Sequence, residues 1–291
     1  MSGASLLQLF FSGLTIGSIY ALIAVGFVVT FSVTGILNLA QGEFAAVGAL
    51  TAASLHMHGA ALWVSVLAGT AAAVLLGIVM ERAVIRPARR IDLLSVVIIT
   101  IGVDIVFRGA ALMIWGADPL TLAPFTDRPP LHLGGATLDW QTVWTVAISG
   151  VFFVALIWFF QTYQGKAVRA AVMNHTAARI VGIRPSRLSF YAFAVSAGLG
   201  GLAGTIVAPI TGATYDMGLM LGLKAFVAAV IGGLNNAPAA VLGGLVVGLL
   251  EAFTAGLISS DYRDAITFIV LLLMLFVRPS GLFGRTAGKR V

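Results

Sequence analysis

Long apolar runs follow one another along this chain with very little polar sequence between them. The first charged residue is Glu43 and the next is Glu81; none occurs between Asp139 and Lys166, from Leu188 to Tyr215, or from Ala225 to Leu250. A membrane-crossing helix needs about 20 mostly apolar residues. The pattern therefore predicts spans over 6–33, 43–54, 61–80, 93–115, 143–163, 188–210, 221–234, 239–257 and 265–277. The runs are continuous and show no period-two alternation, which favours helices over a β-barrel. The second and seventh are short for a full crossing and read as half-helices. The expected fold is all-α: a polytopic transmembrane helical bundle of about 8–10 spans, with residues 1–291 forming one permease-like domain. No basic segment precedes the first run, so it is expected to remain as a span rather than be cleaved as a signal peptide.

Composition strengthens this picture. Hydrophobic residues make up 59% of the 291, charged residues only 10%, and mean hydropathy is +1.04. A soluble domain carries about 25% charged residues, so this chain lacks the side chains for a wetted exterior. Its 34 glycines fit as well, since glycine is commoner in membrane helices than in soluble ones.

The net charge of +6 is unevenly placed. Arg82, Arg86, Arg89 and Arg90 form one basic cluster, Lys166, Arg169, Arg179, Arg184 and Arg187 a second, and Arg278, Arg285, Lys289 and Arg290 a third. The positive-inside rule places these three segments in the cytoplasm. Residues 116–141 then lie outside, the N-terminus is outside and the C-terminus cytoplasmic. Trp63, Trp115, Trp140 and Trp144 fall at the outer ends of spans, as an interfacial aromatic belt does. The basic excess is thus a topology signal that needs no nucleic-acid partner. Membrane lipid is the expected surroundings.

Several kinds of chemistry find no support. There is no cysteine, hence no disulfide framework or thiol nucleophile. His56 and His58 are two apart in a loop, while His132 and His175 fall on opposite sides of the membrane, so no metal site is expected. No phosphate-binding loop occurs: Gly288-Lys289 is followed by Arg290 and lacks the upstream glycine. The chain is not expected to be an enzyme, has no expected catalytic residue or cofactor, and cannot hydrolyse ATP by itself.

One cytoplasmic segment stands out, residues 165–183: Gly165-Lys-Ala-Val-Arg169-Ala170-Ala-Val-Met-Asn174-His-Thr-Ala-Ala178-Arg-Ile-Val-Gly182-Ile183. Its alanines favour helix, Gly182 can cap it, and Pro185 prevents continuation. Either it is a basic loop resting on anionic lipid, or it is a docking helix at the inner face of the membrane.

Here the sequence resembles a family. The pattern G-x-x-x-R-A-x-x-x-N-x-x-x-A-x-x-x-G-I is similar to the coupling loop of branched-chain amino acid ABC transporter permeases of the LivH type. Gly13-Leu-Thr-Ile-Gly17-Ser-Ile-Tyr20-Ala-Leu-Ile-Ala-Val-Gly26 resembles that family's opening span. Asn38-Leu-Ala-Gln41-Gly42-Glu43 is similar to its N-x-A-x-G signature, and Arg278-Pro-Ser-Gly281-Leu282-Phe-Gly284 to its R-P-x-G-L-F-G tail. The resemblance implies a permease subunit in a bacterial inner membrane. Its implied partners are two ABC ATPase subunits that bind the ATP and magnesium, a second permease, perhaps a paralogous sister, and a periplasmic substrate-binding protein. Gly165, Arg169, Ala170, Asn174, Ala178, Gly182 and Ile183, within the loop 164–187, become the implied ATPase-coupling residues. Branched-chain amino acids are the implied solute, with urea, short amides and aromatic acids carried by related systems.

The translocation path is sought where polar groups interrupt the apolar runs. Asn38, Gln41 and Glu43 do so beside Gly35 and Gly42; Asn235 and Asn236 do so after Gly232-Gly233, and both breaks contain Leu-Asn-x-Ala. Transporters often place broken helices from two repeated halves around a midplane site; alternatively, the asparagines cap turns at the membrane edge. Tyr20, Asn38, Gln41, Gly42, Glu43 and Asn235 are the path candidates. Asp104 and Arg108, four apart on one helix, can pair, and Glu251 stands alone in an apolar helix. Gly200, Gly201, Gly204, Gly243, Gly244 and Gly248 read as close-packing positions. A stand-alone secondary transporter or channel is the alternative class; it leaves residues 165–183 without a role. A membrane-integral enzyme would need a cluster of nucleophile, base and metal ligands, which the loops do not supply.

Overall fold

The computed structural model describes residues 3–88, 91–162, 165–166, 185–278 and 281–282. Among them are nine principal helices: α1 (Gly3–Thr34), α2 (Gln41–Met57), α3 (Leu62–Met80), α4 (Leu93–Trp115), α5 (Trp140–Gln161), α6 (Pro185–Thr211), α7 (Met217–Gly232), α8 (Ala237–Leu257) and α9 (Arg263–Val277). Each coincides with one of the nine apolar runs. α3 continues through a π-helical turn, Glu81–Ile85, into Arg86–Ala88. The only strands among the described residues are β1 (Leu131–Leu133) and β2 (Ala136–Leu138), a hairpin turned at Gly134 and Gly135.

Six helices are long and apolar enough to cross a membrane. They differ in what surrounds them. α1 and α6 are mostly buried inside the bundle, whereas α3, α4 and α5 present most of their apolar side chains outward. Leu67, Ile98, Val106, Met113, Val151, Val154, Trp158 and Phe276 are all exposed. A water-soluble monomer rarely shows contiguous apolar surface on this scale.

Helix pairs inside the bundle meet through small residues. Gly13 and Gly17 of α1 lie against the backbone of Leu249, Leu245 and Gly244 of α8, and a Cβ at Gly17 would stand 2.9 Å from Leu245 Cα. Gly48 of α2 touches Gly201 of α6, and Gly204 of α6 touches the Ala45 backbone. Gly243 of α8 packs on Ala228 of α7. Helices in an apolar solvent gain nothing from hydrophobic burial against each other, so dispersion contact at short range must hold them. The six glycines singled out from the sequence serve this purpose: Gly200 packs against Phe44, and Gly248 against Gly17.

At one end of the bundle the 116–139 segment folds over the helices. Gln141 Oε1 accepts from Phe125 N–H (3.2 Å) and its Nε2 donates to Ile206 O (3.0 Å). Trp63, Phe125 and Trp144 stack edgewise there, Trp63 at 5.5 Å from Trp144.

The feature that organises the interior is the break between α1 and α2. Gly35 ends α1 with φ +71°, the left-handed conformation glycine adopts without a Cβ penalty, and its N–H bonds to Phe31 O at 2.7 Å. The chain then runs non-helically through 36–40, where Ile36, Asn38 and Ala40 are buried. Irregular backbone inside a membrane bundle requires local partners. Thr100 of α4 supplies one: its hydroxyl accepts from Leu39 N–H at 3.3 Å and lies 3.3 Å from Leu37 O. α2 thus starts inside the bundle, with Gln41 beside Gly26 and Ser196, each well within its own helix. This is why α2, at 17 residues, is shorter than α1, at 32.

Candidate translocation site

Two groups of buried polar side chains lie inside the bundle. The first surrounds the start of α2. Gln41 and Ser196 bond reciprocally, Ser196 Oγ donating to Gln41 Oε1 (2.7 Å) and Gln41 Nε2 donating to Ser196 O (3.1 Å). Gly42 leaves space for the first turn of α7, its backbone meeting Gly218 and Gly222. Glu43 is fully buried beside Gly218. Its carboxyl group lies within hydrogen-bonding reach of Asp104, and Asp104 Oδ2 in turn accepts from Arg108 at 3.2 Å. Asn38 is fully buried on the non-helical segment, and neither of its side-chain polar atoms has a hydrogen-bond partner among the described residues.

The second group joins four helices. Tyr20 of α1 donates to Glu251 Oε2 of α8 at 2.9 Å, across 231 residues of sequence. Lys224 of α7 lies 3.0 Å from Glu251 Oε1 and 2.7 Å from Asp264 Oδ1 of α9. Arg263 stands 3.5 Å from Asp264, and Thr267 donates to Glu251 Oε1 at 3.3 Å. Tyr20, Lys224, Glu251 and Thr267 are all buried, while Arg263 and Asp264 reach the surface. Two cations face two carboxylates, so the group is close to neutral. A charge inside a membrane is tolerated on that condition.

The path candidates from the sequence therefore separate. Asn38, Gln41, Gly42 and Glu43 come together around the α1–α2 break. Tyr20 belongs to the second group with Glu251, which is no longer a lone charge. Asn235 sits elsewhere, exposed in the short turn between α7 and α8. There its neighbour Asn236 caps α8, accepting from Ala239 N–H at 3.4 Å. Of the coupling residues Gly165 is described and buried, its N–H on Thr162 Oγ1 at 3.3 Å. Arg169, Ala170, Asn174, Ala178, Gly182 and Ile183 lie outside the described residues.

Lys224, Ser196, Thr100 and Asp264 escape a reading of the sequence. Lys224 left a usable trace: it is a single cation in one apolar helix, and Glu251 a single anion in the next. Opposite orphans in neighbouring helices are natural partners.

Known proteins place this architecture. The family model described as "Branched-chain amino acid transport system / permease component" matches residues 9–275. This chain belongs to that family. It is 31% identical to the high-affinity branched-chain amino acid transport system permease protein LivH of Salmonella typhimurium, over 98% of this chain and 97% of that one. Against the permease protein BraD of Pseudomonas aeruginosa it is 30% identical, over 98% of each. The permease protein LivM of Salmonella typhimurium is more distant, 26% identical over 94% of this chain and 69% of LivM. A solved chain of PsaBC from Streptococcus pneumoniae in complex with Fab shares the fold at a TM-score of 0.50 and 14% identity, covering 92% of this chain and 91% of that one. The apolar helices and the family together make this a multi-pass membrane protein of the transport-permease class.

Proposed function

We propose that this chain is the membrane-spanning permease subunit of an ABC importer, providing the path along which branched-chain amino acids cross. The observation that carries the reading is the end-to-end match to LivH and BraD, both named as permeases of branched-chain amino acid systems. The interior suits the task. A helix broken at Gly35, with Asn38, Gln41 and Glu43 beyond it, brings polar groups to membrane depth where transporters bind their solutes. The surroundings remain apolar, as an aliphatic side chain requires.

The same reading assigns partners. LivH and LivM of one organism are both similar to this chain, which supports a pair of related permeases, this chain and a longer sister. Two ATPase subunits would seat against residues 165–183, with Arg169 and Asn174 fixing the contact, and would hold the ATP and magnesium. A periplasmic binding protein would deliver the solute from the opposite side. The distribution of Lys and Arg supports a cytoplasmic C-terminus and an outer 116–139 segment, in a bacterial inner membrane. In this arrangement the chain performs no covalent chemistry of its own.

Reconstitution tests the proposal. Proteoliposomes holding the chain with its ATPases, sister permease and binding protein should take up leucine, isoleucine and valine only when ATP is supplied. Urea, short amides and aromatic acids serve as alternative solutes. Uptake by this chain alone, without ATP, overturns the importer reading.

A further inference from the structure

Besides Glu81, which pairs with Arg86, two buried acidic groups lie among the described helices, and they differ in how their oxygens are served. Glu251 has Lys224 and Thr267 on Oε1 and Tyr20 on Oε2. Its needs are met within the protein, and its role is to join α1, α7, α8 and α9. Glu43 and Asp104 are in the opposite condition. Among the described residues no N–H, hydroxyl or cationic group donates to either oxygen of Glu43, or to Asp104 Oδ1. Glu43 is fully buried and Asp104 is only 4% exposed.

Charge is also out of balance there. Among the described residues Arg108 is the one cation in contact, and its ion pair is made to Asp104 Oδ2. Asp216, preceding α7, adds a further negative charge acting on Glu43. An unmet buried acceptor costs about 1–3 kcal/mol, and more when charged, so two buried carboxyl groups with no donor there but each other and Arg108 mark a position that an outside donor can fill. The first turn of α7 meets the first turn of α2 here, through Gly218 and Gly42. The unserved oxygens therefore lie at a junction of helix starts inside the bundle, where transporters place solute sites.

We propose that the Glu43–Asp104 pair is the site that receives the ammonium group of the transported solute, with Arg108 holding Asp104 in place. The chemistry fits: a primary ammonium has three N–H donors, and it can replace the hydrogen bond that the two carboxyl groups otherwise make to each other. A divalent metal fits less well, because no cluster of three or more His, Cys, Asp or Glu among the described residues could hold one. The inference rests on the reading above that the solute is an amino acid.

The complete importer, reconstituted with its ATPase, sister and binding protein, provides the test. Wild-type proteoliposomes that fail to take up any branched-chain amino acid with ATP refute the transport reading itself, separately from this site. Given wild-type uptake, Glu43→Gln is the informative variant, since glutamine keeps the shape of the side chain but cannot carry a negative charge. The initial rate of leucine uptake should fall about tenfold or more, the equivalent of one charged hydrogen bond, with Asp104→Asn close behind. Glu43→Asp, which keeps the charge, should recover a substantial part, and copurification with the ATPase subunits should persist in all three. Glu43→Gln uptake close to wild type overturns the proposal. So does loss in both Glu43 variants while Asp104→Asn transports normally, because that pattern reports packing alone.

Discussion

Lys224 and Glu251 meet at 3.0 Å in the interior of the bundle, each nearly or fully buried. Neither helix that carries them has a second buried charge to offer, so each is the other's buried counter-charge, and Lys224 also holds the half-exposed Asp264 at 2.7 Å. Removing one partner of a buried pair costs about 3–5 kcal/mol where the other charge is stranded, and the Asp264 carboxylate beside Lys224 makes loss of Glu251 the milder case. Lys224→Met and Glu251→Leu should each lower the thermal unfolding midpoint of the detergent-solubilised protein sharply. The double variant should recover much of the loss, since Asp264 retains Arg263 beside it. A double variant that is no better than the worse single variant would show that the two residues act independently.

Tyr20 serves the same carboxylate through its hydroxyl at 2.9 Å. Tyr20→Phe keeps the ring and removes one charge-assisted bond, worth about 1.5–3 kcal/mol. The unfolding midpoint should drop, by less than for Lys224→Met. A smaller drop still in a Glu251→Leu background, read as a double-mutant cycle, would isolate the bond from the ring's packing.

At the α1–α2 break, Thr100 provides the hydroxyl that meets Leu39 N–H. Thr100→Val preserves volume and leaves that amide unsatisfied, costing about 1–3 kcal/mol. Hydrogen exchange should accelerate across residues 36–40 and remain slow through the middle of α1. Unchanged exchange at Leu39 would remove Thr100 from any role in holding the break.

Close approach of α1 and α8 depends on Gly17, where a Cβ would stand 2.9 Å from the Leu245 backbone. Gly17→Val must push the helices apart, and overpacking of this kind typically costs about 1–3 kcal/mol. Because Tyr20 lies one turn further along α1, the same variant should also weaken its bond to Glu251. A midpoint equal to wild type would mean the two helices are not in contact there.

Asp92 caps α4, its carboxylate accepting from Ser95 N–H at 3.0 Å and Ser95 Oγ–H at 2.8 Å. Those two donors hold its pKa below the ordinary carboxylate value. A depressed pKa stabilises the folded end fully above the unfolded value, about 3.9, and the contribution fades as pH falls through the folded value. Asp92→Ala should therefore speed amide exchange at the start of α4 near neutral pH and make little difference in strong acid. Equal effects at both extremes would deny the carboxylate its capping role.

Much of this architecture is legible before any coordinates. Nine apolar runs become nine helices among the described residues, because backbone in an apolar solvent must bond within its own segment, and six of them are long and apolar enough to cross. The i, i+4 spacing of Asp104 and Arg108 gives their pair directly. What escapes is contact between distant helices. Gln41 and Ser196 are 155 residues apart, and no local periodicity relates them. The two Leu-Asn-x-Ala segments show the limit most clearly: Asn38 is sealed at depth, whereas Asn235 lies on an exposed turn. Identical local chemistry meets different surroundings, because α1 is followed by a re-entering segment and α7 by a tight connection into α8.

Where Gly42 meets Gly218 and Gly222, two helix backbones touch, with the Glu43 side chain against Gly218. Such a seam sets the spacing of α2 and α7 by backbone contact, so the place of Glu43 depends on both helices keeping glycine there. A single added methyl at Gly42 would overlap the Gly218 carbonyl oxygen and drive the two helices apart. Glu43, one residue further on, would be carried from its place beside Gly218.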